Sequence, residues 1–184
     1  MPKKEKRVAT STLKDQAIRS LLVVFCILLA LFLDDIRRQQ KITSDLTTAF
    51  RNLRDEIENN RDTLVQVMAL QQQCLQGSLP DATDALAQKR LLPELRSVAW
   101  STAHSTGLVS SLKFDDVYPF EKLYALQSSG VERAAADLRD FYLDGQTDAD
   151  RAKSLWSALH EEEKRLLTAT NIVLNAGENW RYLE

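Results

Sequence analysis

From Lys3 to Gln76 the chain contains no glycine and no proline, although it has five and four of these residues in all. A stretch of that length without either backbone breaker points to one long helix. At its front lies an uninterrupted apolar run, Leu21–Leu33, LLVVFCILLALFL. Behind it, apolar residues recur in alternating steps of four and three within a charged background. The pattern predicts a single rod: a membrane-spanning helix that continues into a water-exposed one, with the rest of the chain folded against the second half.

The apolar run has 13 positions, which is about 20 Å of helix against a hydrocarbon layer of about 30 Å. The window widens to Ala17–Ile36 if Arg19, Asp34 and Asp35 sit at the interfaces, where a long basic side chain snorkels. Eleven Leu, Ile, Val and Phe residues each favour insertion by about 0.3–0.6 kcal/mol. A helix apolar on every side has no face for water, which suits lipid better than a small bundle. The rival is a cleaved signal peptide, whose basic n-region is present in Lys3, Lys4, Lys6 and Arg7. Its small-x-small cleavage site is not, because Ala30 is followed by Leu31, Phe32, Leu33 and two aspartates. The expectation is an uncleaved anchor.

Six Lys and Arg residues precede the run (Lys3, Lys4, Lys6, Arg7, Lys14 and Arg19). Arg37, Arg38 and Lys41 follow it, behind Asp34 and Asp35. The bias predicts a cytoplasmic basic N-terminus at 1–19, a transmembrane helix at 20–36 and an exported domain at 37–184. In a Gram-negative bacterium the span would lie in the inner membrane and the domain in the periplasm.

Past the membrane, Leu46, Phe50, Leu53, Ile57, Asn60, Leu64, Val67, Gln71 and Cys74 form a coiled-coil-like seam. Arg51, Asp55, Glu58, Asn59 and Asp62 lie opposite, as a solvated face. Asn60 and Gln71 interrupt the seam. Either they set the register of an oligomer, or the seam packs on the chain's own later helices and Asn60 bonds to them. Gly77–Pro80 ends the rod in a turn. Cys26 and Cys74 lie too far apart on one rod to pair within a chain.

A short helix capped by Asp81 or Thr83 is expected through about Leu91, then a second from Pro93 to about Lys113. The second is crowded with small residues between Ser97 and Ser111. These favour close packing around Trp100; the functional alternative is a ligand pocket at Trp100, His104 and Gly107. Pro119 marks the next helix start, running to about Leu143, with Gly130 as a kink or split. Asp144-Gly145 closes it. Thr147 with Asp150 resembles a capping box for a last helix carrying Ala152, Trp156, Leu159, Leu166, Thr170 and Val173 on one stripe. The predicted fold is all-α: three to four return helices packed on the long helix as an antiparallel bundle.

The apolar run followed by LDDIRRQQK, then LRDEIENNRDTL, AWSTAHSTGLVSSL and LYALQ, resembles a group of small bacterial single-span membrane proteins with an extramembrane helical domain. The resemblance implies a membrane-anchored helical domain and brings no activity or site residues.

A net charge of −2 argues against nucleic acid as a partner. There is no glycine-rich phosphate loop, no Cys-x-x-Cys and no His-Glu-x-x-His. His160 with Glu161, Glu162 and Glu163 invites a metal reading. A di-metal bundle, however, wants Glu three residues before each His, and positions 157 and 101 are both Ser. A solvated charged face is the simpler account. The expectation is therefore no enzyme, no cofactor and no metal. The chain is expected to act by protein–protein interaction, as an accessory subunit or scaffold at the inner membrane, with a protein partner or a second copy. The alternative is a periplasmic sensor of a small ligand.

Overall fold

In the computed structural model of the chain, Glu5–Gln76 is one helix, α1. The structure describes the backbone of residues 5–76, 91–146 and 148–176, and side chains at 16, 18–73, 91–146 and 148–176. The expected turn at Gly77–Pro80, the helix at 81–90, the Thr147 box and the side chain of Cys74 lie outside them. Everything regular that is described is helical, with no strand among these residues. The chain divides into two units, Met1–Asp45 and Leu46–Glu184.

In the first unit the backbone stays helical through Asp34–Gln40. Its large apolar side chains from Ile18 to Leu33 are 45–75% exposed on every side. Among the described residues no helix is long and apolar enough to cross a membrane.

In the second unit, α1 buries Leu46, Phe50, Leu53, Ile57, Asn60, Leu64, Val67 and Gln71 along one side. Each large apolar residue so covered contributes about 1.5–3 kcal/mol relative to exposure. The steps of four and three keep these positions on one stripe, as the 3.6-residue turn requires.

Chain that reads as helix is extended beside that stripe. The second return helix was expected to start at Pro93. Instead residues 93–97 carry no helix, and α2 runs only Val98–Ser105. The backbone of this strap is bonded by side chains of α1. Gln71 Nε2 donates to the Leu91 carbonyl (3.0 Å). Asn60 exchanges two bonds with the Arg96 peptide groups, and Glu56 Oε2 accepts from the Ala99 amide (2.9 Å). As the number falls on α1 it rises on the strap, so the two run antiparallel. The spacings agree: eleven helical residues from Gln71 to Asn60 and five extended residues from Leu91 to Arg96 each span about 16 Å.

Gly107, at φ 74°, stops α2. Its amide donates to the His104 carbonyl, and that of Thr106 to Thr102. Only glycine enters this left-handed conformation without strain. The hydroxyls of Ser101, Ser105 and Thr106 also bond back to α2 carbonyls, a competition that weakens a helix. A single 3₁₀ turn, Val109–Ser111, follows.

α3 runs Phe114–Leu126, a π-helical turn Gln127–Glu132, and α4 Arg133–Leu143. Asp115 and Asp116 occupy the first turn of α3, where the helix dipole favours them. Pro119 therefore lies inside the helix rather than at its start. Gly130 falls in the π turn, so the expected break is a widening and not a split. Residue pairs fix the direction: Phe50 with Phe120, Glu56 with Tyr124, Asn60 with Gln127. Both numbers rise together, so α3 is parallel to α1. This corrects the expected antiparallel arrangement, because the strap, and not a helix, makes the return trip.

Gly145, at φ 65°, ends α4. Asp148 Oδ1 accepts from the Asp150 and Arg151 amides to cap α5, Ala149–Ala176. Trp156 meets Tyr142, Arg151 lies over Phe141, and Gly130 faces Glu162, so α5 is antiparallel to the π turn and α4. Its buried stripe is Trp156, Leu159, Glu163, Leu166, Thr170 and Val173, with Leu174 beside it.

Candidate functional site

Trp100, on α2, sits at the centre of an aromatic stack. Its ring stacks on that of Tyr124, 5.3 Å away between centroids and nearly parallel to it. It lies 6.0 Å from Phe120, and the His104 ring meets it edge-on at 4.5 Å. Offset and edge-on contacts of this kind are worth about 0.5–1.5 kcal/mol each beyond burial. A cleft of about 370 Å³ opens here between α2 and α3, lined by Ser97, Trp100, His104, Glu121, Tyr124, Ala125 and Ser128. Trp100 and His104 thus come together, one helical turn apart. Gly107 is not among the lining residues; it ends α2 on an exposed turn. With Trp100 packed against Tyr124 and Phe120, its ring serves first as a wedge between α2 and α3.

Beneath the cleft lies a buried polar layer. Glu56 accepts from the Tyr124 hydroxyl at 2.7 Å as well as from the Ala99 amide. It therefore supplies, from another helix, the N-terminal acceptor that Ser97 does not provide for α2. Burial holds the Tyr124 phenol far above its ordinary value, with the Glu56 hydrogen bond and charge acting in the same direction. Tyr124 thus stays a donor at every physiological pH. Asn60 Nδ2 also reaches Gln127 Oε1, and Gln127 Nε2 donates to the Arg96 carbonyl and to Glu132. A buried amide is satisfied only when both ends find partners. Asn60 and Gln127 each do so, across three segments.

The third buried group is Glu163 on α5, with no exposed surface. Its Oε1 accepts from Gln71 Nε2 at 2.8 Å. Its Oε2 has no hydrogen-bond partner, and neither has His160 Nδ1, 3.7 Å away. Burial pushes the Glu163 carboxyl up to about 7, with the Gln71 hydrogen bond pulling the other way. The stretch His160–Glu163 read as a solvated face. Glu161 and Glu162 are one, paired with Lys164 and Arg165, but Glu163 is in the core. Among the described residues no group of three or more potential ligands stands together.

Two of these groups escaped the sequence reading, Glu56 and Glu163. The signal was present in each case. Glu163 stands four residues past Leu159 and three before Leu166, on the stripe itself. Glu56 stands four residues before Asn60, next to the seam.

Comparison of the chain with family models, curated proteins and solved structures gives no match. The buried layer ties α1, the strap, the π turn and α5 together. Its acids and amides are spent on one another and on peptide groups, which is the chemistry of fixing a strap and three helices in register.

Proposed function

We propose that this chain is a membrane-anchored helical-bundle protein that acts by holding a protein partner at the bacterial inner membrane, as an accessory subunit or scaffold. The observation that carries the reading is the belt of twelve large apolar side chains, Ile18 to Leu33, that are 45–75% exposed around α1. At 100° per residue they cover every azimuth, so a protein partner with one apolar face would leave most of them in water. A lipid surround covers all of them. Counted on the sequence, the window 17–34 holds two charges, Arg19 and Asp34. They stand near its two ends, where interfacial placement is tolerated.

The basic residues before the run orient the N-terminus to the cytoplasm and the second unit to the periplasm. The buried acids of that unit hold other elements in place, Glu56 through Tyr124 and the Ala99 amide and Glu163 through Gln71, which favours binding over catalysis. Sensing of a small ligand is less favoured. The cleft at Trp100 is bordered mostly by exposed side chains, and both larger rings are already packed.

The test is fractionation of the full chain followed by purification in mild detergent. Retention in the bilayer after carbonate washing, an intact N-terminus by mass spectrometry, and a co-purifying protein at fixed stoichiometry are expected. Release by carbonate, or a mature N-terminus beyond Leu33, would overturn the anchor. Recovery of this chain by itself would overturn the subunit role.

A further inference from the structure

Among the described residues of the second unit, one pair of buried polar side-chain atoms has no hydrogen-bond partner. Glu163 Oε2 and His160 Nδ1 are both buried, both unbonded, and face each other at 3.7 Å one turn apart on α5. Two acceptors left in this way cost free energy, about 1–3 kcal/mol each. One proton between them completes both, with a closing movement of about 0.7 Å to normal hydrogen-bond distance.

We propose that Glu163 and His160 share a single proton across Oε2 and Nδ1, at the junction where Gln71 joins α1 to α5 and to the strap at Leu91. The groups facing the carboxyl are few. From α1 comes the Gln71 amide, which bonds Glu163 Oε1 and the Leu91 carbonyl together. From its own helix comes His160. Neighbouring Glu161 and Glu162 are paired outward with Lys164 and Arg165. On the π turn, Glu132 takes the Gln127 amide and Gly130 faces Glu162. Among the described residues no Lys or Arg of α1, α3, the π turn or α4 forms an ion pair with Glu163. Among the described residues His160 is the one ion-pair partner of an ionised carboxylate there, with the Gln71 amide donating to Oε1.

His160 is also the route by which the proton equilibrates. Its ring is 33% exposed while Glu163 is sealed at 0%. Removal of the proton leaves one negative charge in the core, beside the amide on which the strap depends. The carboxyl is held up near 7 by burial, above its unfolded value. Its contribution to stability is then fully present in acid and is lost as the pH rises through neutrality. The second unit is thereby loosened at the α1–α5–strap junction as the pH rises from about 4.5 to about 7.

The experiment is thermal unfolding of the full chain in mild detergent from about pH 5 to about pH 9, with Glu163→Gln as the partner variant. The glutamine keeps an oxygen for Gln71 and offers an N–H to His160 Nδ1, so it stands in for the protonated acid. Wild type is expected to lose on the order of 10 °C in Tm over this range. Glu163→Gln is expected to keep its acid-side Tm throughout. A wild-type Tm that does not fall, or a variant that falls as steeply, would overturn the proposal. If the variant does not fold, isotope-edited infrared spectroscopy of the wild type decides. A protonated buried carboxyl band near neutral pH, lost in alkali, is expected, and its absence refutes the shared proton. Stabilisation of wild type by added Zn²⁺ that vanishes in Glu163→Gln would also refute it, since the two atoms would then be ligands.

Discussion

Asn60 bonds both peptide groups of Arg96: its Oδ1 accepts from the Arg96 amide at 2.9 Å, and its Nδ2 donates to the Arg96 carbonyl at 2.7 Å. A side-chain amide thus does for the strap what a neighbouring strand does in a sheet. Asn60→Ala leaves both groups, and Gln127, short of a partner. It is expected to cost about 2–4 kcal/mol in urea unfolding. Arg96→Ala, which removes only an exposed side chain, should stay within about 0.5 kcal/mol. Equal losses in the two variants would show that the backbone bonds are not what matters.

Tyr124 and Glu56 form the second tie. Tyr124→Phe leaves Glu56 Oε1 buried without its donor and should cost about 1.5–3 kcal/mol. Glu56→Leu should cost a similar amount by uncapping α2. The double variant is expected to cost less than the two together, the sign of a direct coupling, measured as a double-mutant cycle.

Gln71 lowers the Glu163 carboxyl by donating to it. Gln71→Leu should therefore reduce stability at every pH and move the alkaline loss to higher pH. Since Glu163 rises from 4.5 to about 7 on folding, the whole penalty of ionising it is on the order of 3 kcal/mol. It accrues between those two values as the pH rises. A Tm profile for Gln71→Leu that moves to lower pH would contradict the assignment.

The glycines separate by cause. A methyl group at Gly130 would come within 2.8 Å of Glu162 Oε2, the far end of a flexible side chain that can swing away. Gly130→Ala should be close to neutral, because the gain in helix propensity offsets the shift. Gly107→Ala makes only an ordinary contact with Ser110 Oγ at 3.9 Å but has a φ of 74°, and should lose about 1 kcal/mol. Chemical denaturation of the two variants ranks them.

Leu28 lies midway along the apolar belt and is 59% exposed. Leu28→Arg should weaken insertion by about 3 kcal/mol and move a measurable share of the chain out of the carbonate-resistant fraction. Thermal unfolding of the second unit should not change.

The long helix and its stripe were legible because one rule governs them. The absence of glycine and proline and the four-and-three spacing require only local geometry. The strap was not legible. Pro93 at a helix start and Pro93 in extended chain look alike, and the choice was made by Asn60, Glu56 and Gln71, which lie 20–43 positions away. The parallel direction of α3 follows from that same strap and was missed with it. Glu163 was misread for a different reason. A carboxylate among three acids suggests water, and that composition outweighed the place of Glu163 on the stripe between Leu159 and Leu166. Trp100 and His104 stand one turn apart on any helix, but the stacking of Tyr124 and Phe120 on Trp100 depends on α3.

Surface connections usually tolerate insertions and deletions, since slack is easily absorbed. Residues 91–97 have none to give. One residue more or fewer between Leu91 and Arg96 would displace the peptide groups by about 3.3 Å and take them out of reach of Gln71 or Asn60. The part of this bundle without regular structure should therefore be the part whose length drifts least as its sequence diverges.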